Sequence, residues 1–161
     1  VGQDRGEPEV LSGSVHLQEF PAPVPLPEEP DLLVRWERLA EVREEVLKCL
    51  EVARGEMGIG NSLEAAVTLQ AEGELLALLE RHRAELPSLF IVSRVDLGEA
   101  GAGARAAEQM PGLRISVRRA PGEKCDRCWN FTQDRSREAD TGDLCGRCVA
   151  AVREIRSRRP A

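Results

Sequence analysis

Apolar positions along this chain follow two rhythms, and each predicts a different element. The first begins after Pro30. Leu32, Trp36, Leu39, Val42, Val46, Leu50, Ala53 and Met57 recur at steps of three and four, which marks one face of an α-helix. Asp31 stands where an N-cap belongs, and Gly55, Gly58 and Gly60 close the pattern. The other face is charged, with Glu44 and Lys48 spaced as a favourable i,i+4 pair. The second rhythm alternates. Leu63, Ala65, Val67 and Leu69 interleave with Glu64, Ala66, Thr68 and Gln70, which predicts a strand. Gly73 to Leu86 returns to helical spacing and stops at Pro87. Ser88 to Leu97 predicts a second strand, its run Leu89-Phe90-Ile91-Val92 too apolar for an exposed edge. Strand, helix and strand with short joints predict a βαβ-type unit. Residues 98–112, rich in Gly and Ala, read as a loop. Leu113, Ile115 and Val117 then alternate with Arg114, Ser116 and Arg118, a third strand with a basic face.

Where the periodicity stops, cysteines begin. Cys125-x-x-Cys128 and Cys145-x-x-Cys148 are separated by sixteen residues, which is the spacing of a zinc site. Four thiolates close a tetrahedral shell and leave no place for a water, so one structural Zn²⁺ is expected rather than a catalytic one. The rival readings are disulfides or free thiols. A fifth cysteine, Cys49, makes the count odd, and no signal peptide is visible. Cys49 lies beside the apolar stripe of the long helix and reads as a small buried hydrophobe. Thiolate ligation fits a reducing compartment, hence a cytoplasmic protein.

The expected fold class is therefore α+β: a long amphipathic helix, a small βαβ-type mixed unit with a third strand, and a four-cysteine zinc ribbon or knuckle. The expected layout is an extended Pro-rich connector over 1–30, the helix over 31–60, the α/β unit over 61–120, the finger over 121–150 and a basic tail over 151–161. Pro21, Pro23, Pro25, Pro27 and Pro30 exclude helix from the connector. Val1 stands where an initiator Met would be, so the chain reads as processed or as a piece of something longer.

Composition adds two constraints. With three Phe, two Trp and no Tyr among 161 residues, the core must be aliphatic. No apolar run approaches the roughly 20 residues a membrane span needs, so no membrane partner is expected. Charge adds more. The net value is −6, yet residues 114–161 carry +5 and residues 1–113 carry −11. A solvated tail would account for this. A zinc knuckle bearing Trp129 and Phe131 favours a nucleic-acid surface instead. The candidate RNA contacts are Trp129, Lys124, Arg127, Arg147, Arg118 and Arg119. An unstacked base can lie on an aromatic ring while cations neutralise phosphates. The bland alternative has Trp129 covering the metal and packing on Phe131. Trp36 leans to the core.

Catalytic signatures are missing. There is no Walker lysine, nucleophile elbow or HExxH helix, and Gly98-x-x-Gly101-x-Gly103 is not a phosphate loop. His16 lies in the apolar island Ser14–Leu17 and His82 on a polar helix face. No catalytic residue is assigned.

In this order the pieces resemble the C-terminal region of bacterial-type isoleucyl-tRNA synthetases. Gly122-Glu123-Lys124-Cys125-Asp126-Arg127-Cys128-Trp129 and Leu144-Cys145-Gly146-Arg147-Cys148 are similar to that family's terminal finger. Ser14-Val15-His16-Leu17, the Trp36–Val46 helix, Leu50–Arg54, Ile59–Ala65 and Phe90-Ile91-Val92-Ser93 resemble its upstream run. The resemblance implies a tRNA-binding end of a ligase that charges isoleucine tRNA using ATP. The ATP would serve the parent enzyme only, whose catalytic and editing domains are not in these residues. The implied partners are the anticodon arm of isoleucine tRNA and the rest of the synthetase, the chain acting as a monomer. The finger alone is shared with formamidopyrimidine-DNA glycosylases. A DNA-binding finger of that kind, or a zinc-stabilised protein-interaction module, are the alternatives.

Overall fold

The computed structural model describes residues 22, 29–136 and 141–158. The chain divides at Pro30 into residues 1–30 and 31–161. Of the first part only Ala22, Glu29 and Pro30 are described, all exposed. The Pro-rich connector otherwise lies outside the described residues, as does His16. Among the described residues, the helices and strands lie within 32–157.

The expected long helix, α1, is Leu32–Met57. Asp31 occupies the cap position, but its side chain takes no backbone N–H. The stripe Leu39, Val42, Val46, Leu50 and Ala53 is buried, and Cys49 beside it is buried too. Burial raises the Cys49 thiol above its usual range, so it is a packing residue and not a nucleophile. The first two turns differ from expectation. Leu33 and Val34 are exposed, and Trp36 is 40% exposed. Trp36 is not core, because the apolar stripe outruns the surface it packs on. Its ring tilts against His82 at 5.6 Å, which leaves His82 half-buried rather than exposed. Gly58 ends the helix in the left-handed region, φ 60°.

Lys48 does not pair with Glu44. It pairs with buried Glu45 at 2.8 Å and with Glu108 at 3.1 Å. Glu45 also accepts the Glu108 N–H at 2.7 Å. A buried carboxylate needs such donors, and the loop over residues 107–113 supplies one. Lys48 and that N–H hold the Glu45 carboxyl below its usual range against the opposing effect of burial.

The four-stranded sheet has the order β2-β1-β4-β3. Its strands are β1 (Ala65–Gln70), β2 (Arg94–Leu97), β3 (Arg105–Ala106) and β4 (Arg114–Arg119). β1 and β2 are parallel, as a strand–helix–strand unit requires, while β4 runs antiparallel to β1. The first strand starts two residues later than expected. Ser62–Glu64 form a 3₁₀ turn, because the Asn61 side chain accepts the Leu63 N–H at 2.9 Å. The helix expected over Gly73–Leu86 is α2, Gly73–Arg81, and breaks at His82. The strand expected over Ser88–Leu97 forms only at its end, as β2 from Arg94, and its first three residues belong instead to a short helix, α3, Leu86–Phe90. Pro87 sits in its first turn, where a missing N–H costs nothing. Leu86 and Phe90, four apart, are both fully buried. The loop expected over 98–112 contains β3, a short edge.

The helices α1, α2 and α3 pack on one face of the sheet. Val67, Leu69 and Ile115 are buried there with Leu39, Val46, Leu79 and Phe90, and Val95, Leu97 and Val117 pack against them. The core is aliphatic apart from Phe90, close to what composition required. The fold is α+β, a mixed helix-and-strand unit followed by a four-cysteine element.

Candidate metal centre

β4 leads through Ala120 into the finger. Gly122 makes the turn at φ 97°, and a Cβ there would collide with the Thr132 carbonyl. Only glycine fits both constraints. Gly122→Ala should therefore destabilise the finger by about 1–3 kcal/mol, read as a lower zinc affinity with an unchanged melting transition for the sheet.

A two-stranded ribbon follows, β5 (Glu123–Lys124) paired with β6 (Phe131–Thr132). Its turn is the first knuckle. Trp129 N–H donates to the Cys125 carbonyl and Cys125 N–H to the Asn130 carbonyl, both at 2.9 Å. Trp129 itself adopts φ 66°, an uncommon conformation for a bulky residue. The second knuckle caps a helix, α4, Gly146–Ser157. α4 runs through residue 150, so the basic tail drawn from residue 151 begins as helix. Cys145 is its cap residue and Cys148 lies in its first turn, where the helix dipole favours a thiolate. The Asp134 carboxylate, held by the Thr132 hydroxyl, accepts the Gly146 N–H at 3.2 Å and ties β6 to this helix. Those donors, Thr132 first, keep the Asp134 carboxyl below its usual range. Arg135 bridges Glu123 and Asp143.

The four candidate ligands converge. The Sγ atoms of Cys125, Cys128, Cys145 and Cys148 lie within 4.8 Å of one another. None is in a disulfide. Four Zn–S bonds of about 2.3 Å in a tetrahedron put neighbouring sulfurs about 3.8 Å apart, and Cys128 and Cys145 are 3.8 Å apart. The donor set thus fits a zinc ion. The electrostatics agree. Burial raises the Cys125 thiol, but N–H donors from Cys128, Cys145 and Arg127 outweigh it and bring the group to about 6. Burial pushes Cys145 up to about 12. Crowded sulfurs ionise together only beside a cation, and a dication answers that need.

The structure places each expected RNA contact. Trp129 is 55% exposed, and the Lys124 ammonium sits 4.9 Å from its ring centroid. Among the described residues the ring–ring contact is Trp36 with His82, not Trp129 with Phe131. Arg127 donates toward the Cys148 sulfur at 3.7 Å. The Cys128 sulfur, then the other thiols, raise the Arg147 guanidinium further. These two arginines offset cluster charge. Arg118 pairs with Asp96 at 2.8 Å. Arg119 donates to the carbonyls of Met57 and Gly58, each at 3.0 Å, and caps α1. Lys124 and Trp129 form one group, while Arg118 and Arg119 lie on the sheet.

Sequence reasoning missed the residue that joins them. The Ser93 hydroxyl donates to the Leu63 carbonyl at 2.5 Å and accepts the Phe131 N–H at 2.7 Å. One side chain thus pins the ribbon to the sheet. Nothing in its local pattern marks it, since its partners lie 30 and 38 residues away.

Residues 122–151 match the family described as "Zinc finger found in FPG and IleRS". The similarity extends well beyond the finger. The isoleucine–tRNA ligase of Geobacter sulfurreducens is 48% identical over 147 residues, 91% of this chain and 16% of that protein. That of Syntrophotalea carbinolica is 45% identical over 88% of this chain and 15% of its own length. That of Moorella thermoacetica is 41% identical over 78% and 14%. The chain is isoleucine–tRNA ligase-like along most of its length. It is consistent with a C-terminal segment of such a ligase and spans about a sixth of the first relative's length. In this ligase-like segment the four cysteines fall inside the matched finger, and the helix and sheet fall in the stretch that the finger family does not cover. No helix among the described residues is long and apolar enough to cross a membrane.

Proposed function

We propose that this chain is the zinc-stabilised, tRNA-holding segment of a cytoplasmic isoleucine–tRNA ligase. It grips the anticodon arm of isoleucine tRNA as a monomer, and ATP-dependent charging takes place elsewhere in the enzyme. Cys125, Cys128, Cys145 and Cys148 hold one structural zinc. The metal supplies rigidity, and the chain's own side chains make the contacts.

The observation that carries this reading is the exposed Trp129. A large apolar ring beside a ligand cysteine, 55% open to solvent, is an unusual use of a residue that normally packs. Its backbone is fixed by the knuckle, so little entropy is lost when a base stacks on it. Lys124 adds a cation at the ring. Arg127, Arg147, Arg118 and Arg119 complete the cationic set, those with partners retaining N–H groups for phosphates. Net charge in the chain is −6, so attraction has to come from this local surface rather than from the whole molecule.

Trp129→Ala should weaken binding of isoleucine tRNA by about 1–3 kcal/mol, with zinc content unchanged. Unchanged affinity would retire the stacking role. Isoleucine tRNA, another tRNA and duplex DNA, each at two salt concentrations, test the wider reading. Preference for the duplex would favour a glycosylase-like finger, and no nucleic-acid binding would favour a protein-interaction module.

A further inference from the structure

The helices leave the other face of the sheet to a different set of residues. Register places Ala66 between Arg94 on β2 and Arg118 on β4, and Thr68 between Asp96 and Ser116. All of these lie outside the cluster that the helices pack on; Ala66 is fully buried, Thr68, Asp96 and Ser116 are partly buried, and Arg94 and Arg118 are exposed. Small side chains on the central strand are thus flanked by two long cations. The side chains of Arg94 and Arg118 are about half exposed, 50% and 45%. Both reach the same carboxylate: Arg94 Nε and Arg118 Nη2 each lie 2.8 Å from Asp96. One acid shared by two guanidiniums leaves a positive charge over. Each guanidinium has five N–H donors, so most remain for another acceptor.

This cationic strip is continuous with the finger. Phe131 N–H bonds the hydroxyl of Ser93, the residue before Arg94. A shallow cavity of about 140 Å³ is lined by Ser93, Arg94, Pro121, Phe131, Thr132 and Gln133. Phe131 pairs across the ribbon with Lys124, whose ammonium lies over Trp129. From the Trp129 ring to Arg118, each step is a direct contact or a strand pairing, save Ser93 to Arg94, which are neighbours in the chain.

We propose that Arg94 and Arg118, bridged by Asp96, extend the RNA-contact surface from the zinc finger onto the open face of the sheet and bind phosphates of the strand whose base lies on Trp129. This rests on the RNA-binding reading above and adds a second contact area to it. An anionic polymer is the occupant that charge selects. The aromatic at one end makes it a single-stranded, base-bearing one. Asp96 acts as the internal competitor: it orders the two arginines and yields part of them to phosphate.

The test uses the full 161-residue chain loaded with zinc and the anticodon stem–loop of isoleucine tRNA, titrated over a range of salt. Arg94→Gln removes one phosphate contact. It should make the slope of log K against log salt shallower by about 0.7 and weaken binding about fivefold at about 0.1 M salt. Asp96→Asn should do the reverse, tightening binding and steepening the slope. A purely structural role for Asp96 predicts the opposite sign, so weaker binding by Asp96→Asn overturns the proposal. Arg94→Gln with wild-type affinity and slope, beside a weakened Trp129→Ala, overturns it too while the finger reading stands. If neither variant changes binding, both readings fall. Arg94→Lys keeps the charge and should keep the slope, which separates charge from any loss of packing.

Discussion

Removing zinc should unfold the finger and leave the rest of the protein standing. The two parts are stabilised differently. The buried set in the finger is Cys125, Leu144, Cys145, Cys148 and Val149, and three of those five are ligands. Its sheet is two strands of two residues each. A hairpin of that size is not stable alone, and so small a core does not offset the entropy of ordering some thirty residues. A structural zinc site supplies apparent free energies of about 10–16 kcal/mol at neutral pH. That is comparable with the whole net stability of a typical domain. The sheet and α1 have their own core, with Leu39, Val42, Leu69, Leu79, Leu86, Phe90 and Ile115 all essentially inaccessible. Chelation, or Cys125→Ser, should therefore collapse the amide dispersion of residues 122–151 while resonances from β1 and α1 stay in place. RNA affinity should fall at least as far as it does for Trp129→Ala, since the ring loses its mount. A metal-free chain with a fully dispersed finger would show that hydrogen bonds such as Ser136 to Leu144 are sufficient alone, and the structural role of the metal would be lost.

How legible the fold and the site were in the sequence depended on the range of the determining interaction. The ligands were legible because two residues between cysteines is a local constraint, and sixteen between pairs suits one ion. α1 was legible because its periodicity persists over seven turns. The strands β1 and β4 were legible from their alternation, but their antiparallel pairing was not. Pairings across long separations were not legible. Lys48 prefers Glu45 to Glu44 because a loop N–H, 63 residues beyond Glu45, fixes that carboxylate. Ser93 matters because Phe131 arrives beside it. Trp36 lies on an apolar stripe, yet a stripe says only which face is apolar and not how far the opposing surface extends. Arg94 and Asp96 became visible as a site once register put them beside Arg118. The family resemblance supplied what spacing could not, namely which of several four-cysteine fingers this is.

The segment Leu86–Phe90 offers the sharpest stability test, because sequence and structure disagree there. Among the described residues Phe90 is the largest fully buried side chain, packed in the cluster with Leu39, Leu69 and Leu79. Phe90→Ala should cost about 3–5 kcal/mol, the transfer term plus the cavity it leaves. In a chain of this size that lowers the melting temperature by about 6–20 °C. A buried strand would make the same prediction, so a second variant is needed. Ile91 closes α3 at φ 56°, in the left-handed region, and is 53% exposed. A β-branched residue held there is strained, and glycine relieves about 1–2 kcal/mol of it. Ile91→Gly should therefore leave stability unchanged or raise it, despite deleting a large apolar side chain. In a strand with φ near about −120°, the same change would lose packing and backbone entropy together and destabilise the protein. A large loss from Phe90→Ala and none from Ile91→Gly is expected. A large loss from both would restore the strand and remove the helical turn that now carries Phe90 into the core and aims Ser93 at the finger.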